Sequence, residues 1–128
     1  MPTHQTTTTR KPRYIYRGRV YVLELDPKVL QEPRFLAQNP DCRKNPGLGC
    51  LYVGSTDDVE KRIRIHRFGP GPEDNPLVHG SSIVRDYFLR RRKDLEPSDV
   101  YETSGHATTA EALEAELLRD AGYRVYSN

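Results

Sequence analysis

Tyr52, Arg62 and His66 are the residues of this chain best suited to chemistry. They lie in one run, Tyr52 to His66, that reads as the end of a strand, a tight glycine turn at Gly54 and a capped helix start. Arg62 and His66, four residues apart, share one helical face. Tyr21 on an earlier strand and Glu116 or Glu114 on the last helix complete a set suited to a phosphodiester. Hydrolysing that bond needs an activated water, compensation of charge on the phosphoryl oxygens and help for the departing alkoxide. Arg62 offers a fixed cationic fork for the phosphate. A glutamate can hold one divalent ion whose charge stabilises the transition state and the leaving oxygen. Mg²⁺ keeps many of its waters, so one carboxylate is enough. A phenol with an ordinary pKa near ~10 serves as a base only if nearby cations favour its phenolate.

The elements that must position these groups follow from pattern. Residues 1–13 are threonine-rich and basic, without apolar periodicity, and are expected to be a disordered tail. Tyr14 to Leu25 is rich in β-formers and predicts a first strand. Residues 26–49 carry four prolines and read as a long insert that hides a helical turn around Val29 to Ala37. Cys50 to Val53 predicts a second strand ended by Gly54. Asp57 with Glu60 predicts a capping box for the next helix, with Val59 and Ile63 on its buried stripe. After a Gly/Pro loop, Ser81 or Ser82 starts a helix in which Val84, Tyr87, Phe88 and Arg91 follow helical spacing. Val100 to Thr103 predicts a third strand. Thr108 and Glu111 predict a capping box for a last helix with the stripe Ala110, Leu113, Leu117 and Ala121. Gly122 ends it, and Tyr123 to Tyr126 can add a terminal strand. The expected class is α/β (α+β): a small mixed sheet flanked by helices, in the order β-β-α-α-β-α.

At 128 residues, with 35% hydrophobic and 30% charged, the chain has the size of one domain, expected over 14–128. Its apolar runs reach only four or five residues, too few for a membrane span, and no secretory leader is evident, so a cytoplasmic location is expected. Net charge is +2, but basic residues cluster. Arg10, Lys11, Arg13, Arg17 and Arg19 are interleaved with Tyr14 and Tyr16; Lys61, Arg62, Arg64 and Arg67 form a second group, and Arg90, Arg91, Arg92 and Lys93 a third. Such clusters can line a phosphate-binding face. Cys42 and Cys50 are expected to be free thiols; a disulfide, or zinc shared with His66 and His79, is the alternative, and no Cys-x-x-Cys pair supports zinc.

The chain resembles the GIY-YIG nuclease family on these residues. Tyr52-Val53-Gly54 matches the family's second motif, and Arg19-Val20-Tyr21 stands where the first falls, with Arg19 replacing its glycine. Residues 52–62 look much like the same region of phage homing endonucleases. Arg62 falls at the family's arginine and His66 at a histidine of several members. His79-Gly80-Ser81-Ser82 echoes those enzymes too. Ala112-Leu113-Glu114-Ala115-Glu116 resembles the glutamate helix, with Glu116 as metal ligand and Glu114 second. Many members place an asparagine after that helix; Asn128 is the residue here that stands in that region.

The resemblance covers roughly residues 19–125, and the stretch between Tyr21 and Tyr52 is longer than the tight hairpin of typical members. It implies a metal-dependent endonuclease, using one Mg²⁺ or Mn²⁺ ion, that acts on nucleic acid, DNA more than RNA. Catalytic residues would be Tyr21 (base), Tyr52 (orienting water or phosphate), Arg62, His66 and Glu116, with Arg19, Lys61, Arg64 and Arg67 gripping the backbone. A partner protein, the tail or the 26–49 insert would supply targeting. The alternative is a catalytically degenerate nucleic-acid-binding module of the same fold.

Overall fold

A computed structural model of the protein describes residues 14–42 and 44–128. The expected tail, with Arg10, Lys11 and Arg13, lies outside the described residues. The protein is a mixed α+β domain built on one four-stranded sheet. Its strands are β1 (Arg19–Leu25), β2 (Cys50–Thr56), β3 (Phe88–Arg91) and β4 (Arg124–Ser127), in the spatial order β3-β1-β2-β4. β1 runs antiparallel to β2 and β3, whereas β4 lies parallel to β2. Four α-helices flank them: α1 (Pro33–Ala37), α2 (Val59–Phe68), α3 (Ser82–Tyr87) and α4 (Ser104–Ala121).

Alternation along the strands divides the interior into two layers. Tyr21, Leu23, Leu25, Cys50 and Tyr52 pack on one face with Phe35 of α1, Ile63 of α2 and Ile83 and Val84 of α3. Val20, Val22, Leu51, Val53 and Val125 pack on the other with Ala115 and Leu118 of α4. The helical turn expected near Val29 is a 3-10 turn, Pro27–Gln31, that leads into α1. Asn39 ties this stretch to β4: its amide donates to the carbonyls of Phe35 and Val125 and accepts from the Val125 N–H. Cys42 and Cys50 are free and buried, and burial pushes the Cys50 thiol up to about 11.

Several boundaries differ from expectation. Gly54 does not end β2; it pairs with Tyr21, and the strand runs on to Thr56. The cap of α2 is Asp58, which accepts from the Lys61 N–H at 3.1 Å, rather than Asp57. Ser81 caps α3 as expected, but the helix stops at Tyr87 and Phe88–Arg91 becomes β3. The open edge of β1 claims those residues, and no glycine or proline marks the change. Val100 to Thr103 forms only one bridge, Gly18 to Tyr101.

The largest correction concerns α4. Thr103, accepting from the His106 N–H at 3.1 Å, caps it well upstream of the expected Thr108. Leu113 and Leu117 are 61% and 55% exposed, while Ala107, Glu111, Ala115 and Leu118 face inward. The buried stripe is thus displaced by one residue, about 100° around the axis. Gly122, with φ of 114°, ends the helix in the left-handed conformation that glycine adopts without strain.

Candidate active site at the open edge of β2

β4 pairs with β2 only from Cys50 to Val53, so Gly54 to Thr56 keep one edge free of a strand partner. The groups with chemical potential gather around this edge. Tyr21 and Tyr52 project from the same face, their ring centroids 6.2 Å apart, and the side chains are almost wholly buried. The Tyr21 ring lies across Gly54, whose hydrogen occupies the place where a Cβ would overlap the Tyr21 hydroxyl. Glycine here gives room to a side chain.

His66 of α2 connects Tyr21 to the start of α3. Its Nδ1 accepts from the Ser81 N–H at 2.7 Å, and its Nε2 lies 2.7 Å from the Tyr21 hydroxyl. An Nδ1 that accepts carries no proton, so the ring proton is on Nε2 and is donated to the Tyr21 oxygen. The Tyr21 O–H must then turn to another acceptor, and the neighbouring Tyr52 oxygen is hydrogen-bonded to it. Burial, helped by the Arg62 charge, pushes His66 down to about 4, which keeps the ring neutral. Gly80 makes the contact possible, because a Cβ there would stand 2.5 Å from the His66 Cα. Tyr52 is held in a similar way: the Asn128 amide donates to its oxygen at 2.7 Å, which frees the phenolic proton for another partner.

The acidic group of the site is Glu111. Its carboxylate accepts from the Ser55 hydroxyl at 2.8 Å, and Ser55 stands on the free stretch of β2. Burial raises the Glu111 carboxyl, and the Ser55 hydroxyl and N–H oppose that rise. Its negative charge reaches Tyr16, Tyr21 and Tyr52 and pushes all three phenols up. Burial is the larger cause in each, and both Tyr21 and Tyr52 are held strongly in the neutral form. Arg62 acts in the opposite sense, lowering both. Among the described residues Arg62 makes no ion pair, while its neighbours Lys61 and Arg64 both pair with Asp74, at 3.6 and 3.0 Å. It lines a hollow of about 500 Å³ together with Tyr14, Asp57, Asp58 and Lys61.

The structure therefore brings together Tyr21, Tyr52, Arg62 and His66 but not Glu116. Glu116 is bound by Arg119 at 2.6 Å and lines a separate hollow with Gln38 and Asp41. Glu114 is no substitute, since its charge acts on Tyr101 rather than on the two phenols. Glu111 takes the position expected of them. Thr108 three residues before it suggests a capping box, whereas the four-residue spacing of Ala107, Glu111 and Ala115 is the signal that puts it on the buried face. Ser55 carries no such signal, and Ser81, expected at the start of a helix, gives none that its N–H donates to His66.

Of the expected backbone-gripping cations, Arg19 is exposed at the start of β1, and Arg67 stacks on the rings of Phe68 and Phe88 at 4.7 and 4.5 Å. The third basic cluster is largely neutralised: Arg90 pairs with Glu24, Arg91 with Glu96 and Arg92 with Asp94. No group of three or more His, Cys, Asp or Glu side chains converges among the described residues. No helix among these residues is long and apolar enough to cross a membrane.

No family model matches the chain, and neither a curated protein nor a solved structure matches it.

Proposed function

We propose that the protein is a metal-dependent nuclease that hydrolyses phosphodiester bonds in nucleic acid, DNA before RNA, with a site of the GIY-YIG kind that its sequence resembles. The observation that carries this reading is Arg62: a guanidinium without an ionic partner among the described residues, placed so that its charge acts on two buried phenols. An unpaired cation beside neutral hydroxyls is arranged for an arriving anion. The donor set also suits one hard divalent ion. Glu111 is a buried carboxylate without a cationic partner among the described residues, and hard ions with many retained waters need few carboxylates. When bound, Mg²⁺ or Mn²⁺ would supply positive charge that stabilises the transition state and the leaving oxygen.

The chain's own residues then divide the work. Arg62 binds two phosphoryl oxygens and compensates the charge that grows on them. Tyr21 receives the His66 Nε2–H and donates its own proton to Tyr52. To act as base it first releases its phenolic proton to solvent; the phenolate, stabilised by that N–H and by Arg62, then accepts the proton of the attacking water. Tyr52, fixed through its oxygen by Asn128, donates its proton to the water or to the phosphate.

The test is cleavage of single-stranded, duplex and branched substrates with Mg²⁺, Mn²⁺ or chelator, comparing Glu111→Gln with Glu116→Gln. Glu111→Gln and Arg62→Ala should lose roughly a hundredfold or more in rate, and Glu116→Gln should cleave like the wild type. Equal cleavage by Glu111→Gln and wild type refutes the assignment. Salt-sensitive binding without any metal-dependent product would assign the fold to a nucleic-acid-binding module instead.

A further inference from the structure

We infer that the hollow beside Arg62 is a subsite for one unstacked nucleotide of a single strand, with its base against Tyr14 and its phosphate on Arg62. The inference rests on the reading of Arg62 as the phosphate contact. The hollow measures about 500 Å³ and opens between the start of α2 and the loop that precedes α3. That volume lies within the range of roughly 300–1,000 Å³ usual for small-ligand sites and is far too small for a duplex.

Its lining divides by chemistry. Tyr14, Ile65 and Val78 give one aromatic and two aliphatic surfaces, and Arg62 supplies the cation. Tyr14 is 70% exposed and so available to a ligand. Several polar groups of the wall are already engaged inside the protein. Asp58 caps α2, Asp74 is held by Lys61, Arg64 and the Gly71 N–H, and Asn75 Oδ1 accepts from the Leu77 N–H. What remains for a ligand is a π-face, an apolar floor, the Arg62 guanidinium and the Asp57 carboxylate, from which a phosphate must keep its distance. Aromatic stacking of bases together with cationic contact to the backbone is how single strands are bound without sequence preference.

A single strand enters such a hollow by turning one base out of its stack, whereas an intact duplex must first be opened. Seated in this way, the nucleotide places its phosphate at Arg62, next to Tyr21 and Tyr52. Tyr14 thus sets which strand geometry reaches the chemistry and takes no part in it.

The experiment measures binding of a short labelled single strand to the full chain in chelator, so that no cleavage intervenes. Tyr14→Ala should weaken binding roughly tenfold, and Tyr14→Phe should bind like the wild type, because stacking uses the ring and not the hydroxyl. A series of strands with one abasic position should bind the wild type more weakly at one register and show no such register with Tyr14→Ala. Duplex of the same sequence should be insensitive to Tyr14→Ala. The inference is overturned if Tyr14→Ala binds the single strand unchanged, if Phe and Ala weaken it equally, or if no abasic position matters. These results are independent of cleavage: a ring-dependent grip without metal-dependent product keeps the subsite and removes the nuclease, and cleavage without a ring-dependent grip does the reverse.

Discussion

His66 gives stability a pH dependence that its geometry fixes in sign. The folded ring is held neutral, with its value pushed down to about 4, whereas an unfolded histidine titrates near ~6.5. Between those values the unfolded chain binds a proton that the folded one refuses. Its contribution is therefore fully present above the unfolded value and is lost as pH falls towards the folded one. Going from about pH 7.5 to about pH 5, this one group should cost about 2 kcal/mol of folding free energy. Protonation is resisted for a structural reason: an Nδ1–H would point at the Ser81 N–H, 2.7 Å away. The assay is urea unfolding of wild type and His66→Gln at the two pH values. The variant loses absolute stability with its hydrogen bonds, but its stability should fall about 2 kcal/mol less across the interval. Glu111, raised by burial, works in the opposite direction in both proteins and drops out of the difference. Parallel pH dependence in wild type and variant would refute the tautomer and the hydrogen-bond roles drawn from it.

Two glycine substitutions probe the same geometry. Gly54→Ala places a methyl where the Tyr21 hydroxyl lies and should destabilise the fold by about 1–3 kcal/mol, read by denaturant unfolding. Gly80→Ala sets a Cβ at 2.5 Å from the His66 Cα and 2.7 Å from the Ile65 carbonyl, so the backbone must withdraw and stretch the Ser81 to His66 bond. Nitrogen chemical shifts of the His66 ring should then show a population protonated at Nδ1 that the wild type lacks.

Legibility in the sequence followed the strength of local signals. Tyr52, Gly54, Arg62 and His66 sit in one short run in which a strand leads directly into a helix, and that closeness fixes their relation although Gly54 makes no turn. The Gly122 stop is legible because it uses residue chemistry that the local backbone requires, and of the two expected serines it is Ser81 that caps α3. The β3 strand was missed because Phe88 and Arg91 also satisfy a helical period, and only pairing with β1 decides between the two. On α4, two exposed leucines drew the stripe to the wrong side, and a buried carboxylate went unnoticed. Nothing local says that Glu111 is sheltered by Ser55, a residue 56 positions away. In the third basic cluster Arg91 and Arg92 pair with nearby Glu96 and Asp94, and only the partner of Arg90, Glu24, is distant in sequence.

The absence of a side chain at Gly54 also explains how the long stretch between the two tyrosines is tolerated. Tyr21 and Gly54 are direct cross-strand partners, and the phenol fills the space that the glycine leaves. A slip of one residue would set the ring against Val53 or Ser55, so this single knob and socket fixes the register without help from the connection. Because loop closure grows only slowly more costly with length, the segment between the strands is free to lengthen and acquire its own helix while the phenols keep their spacing.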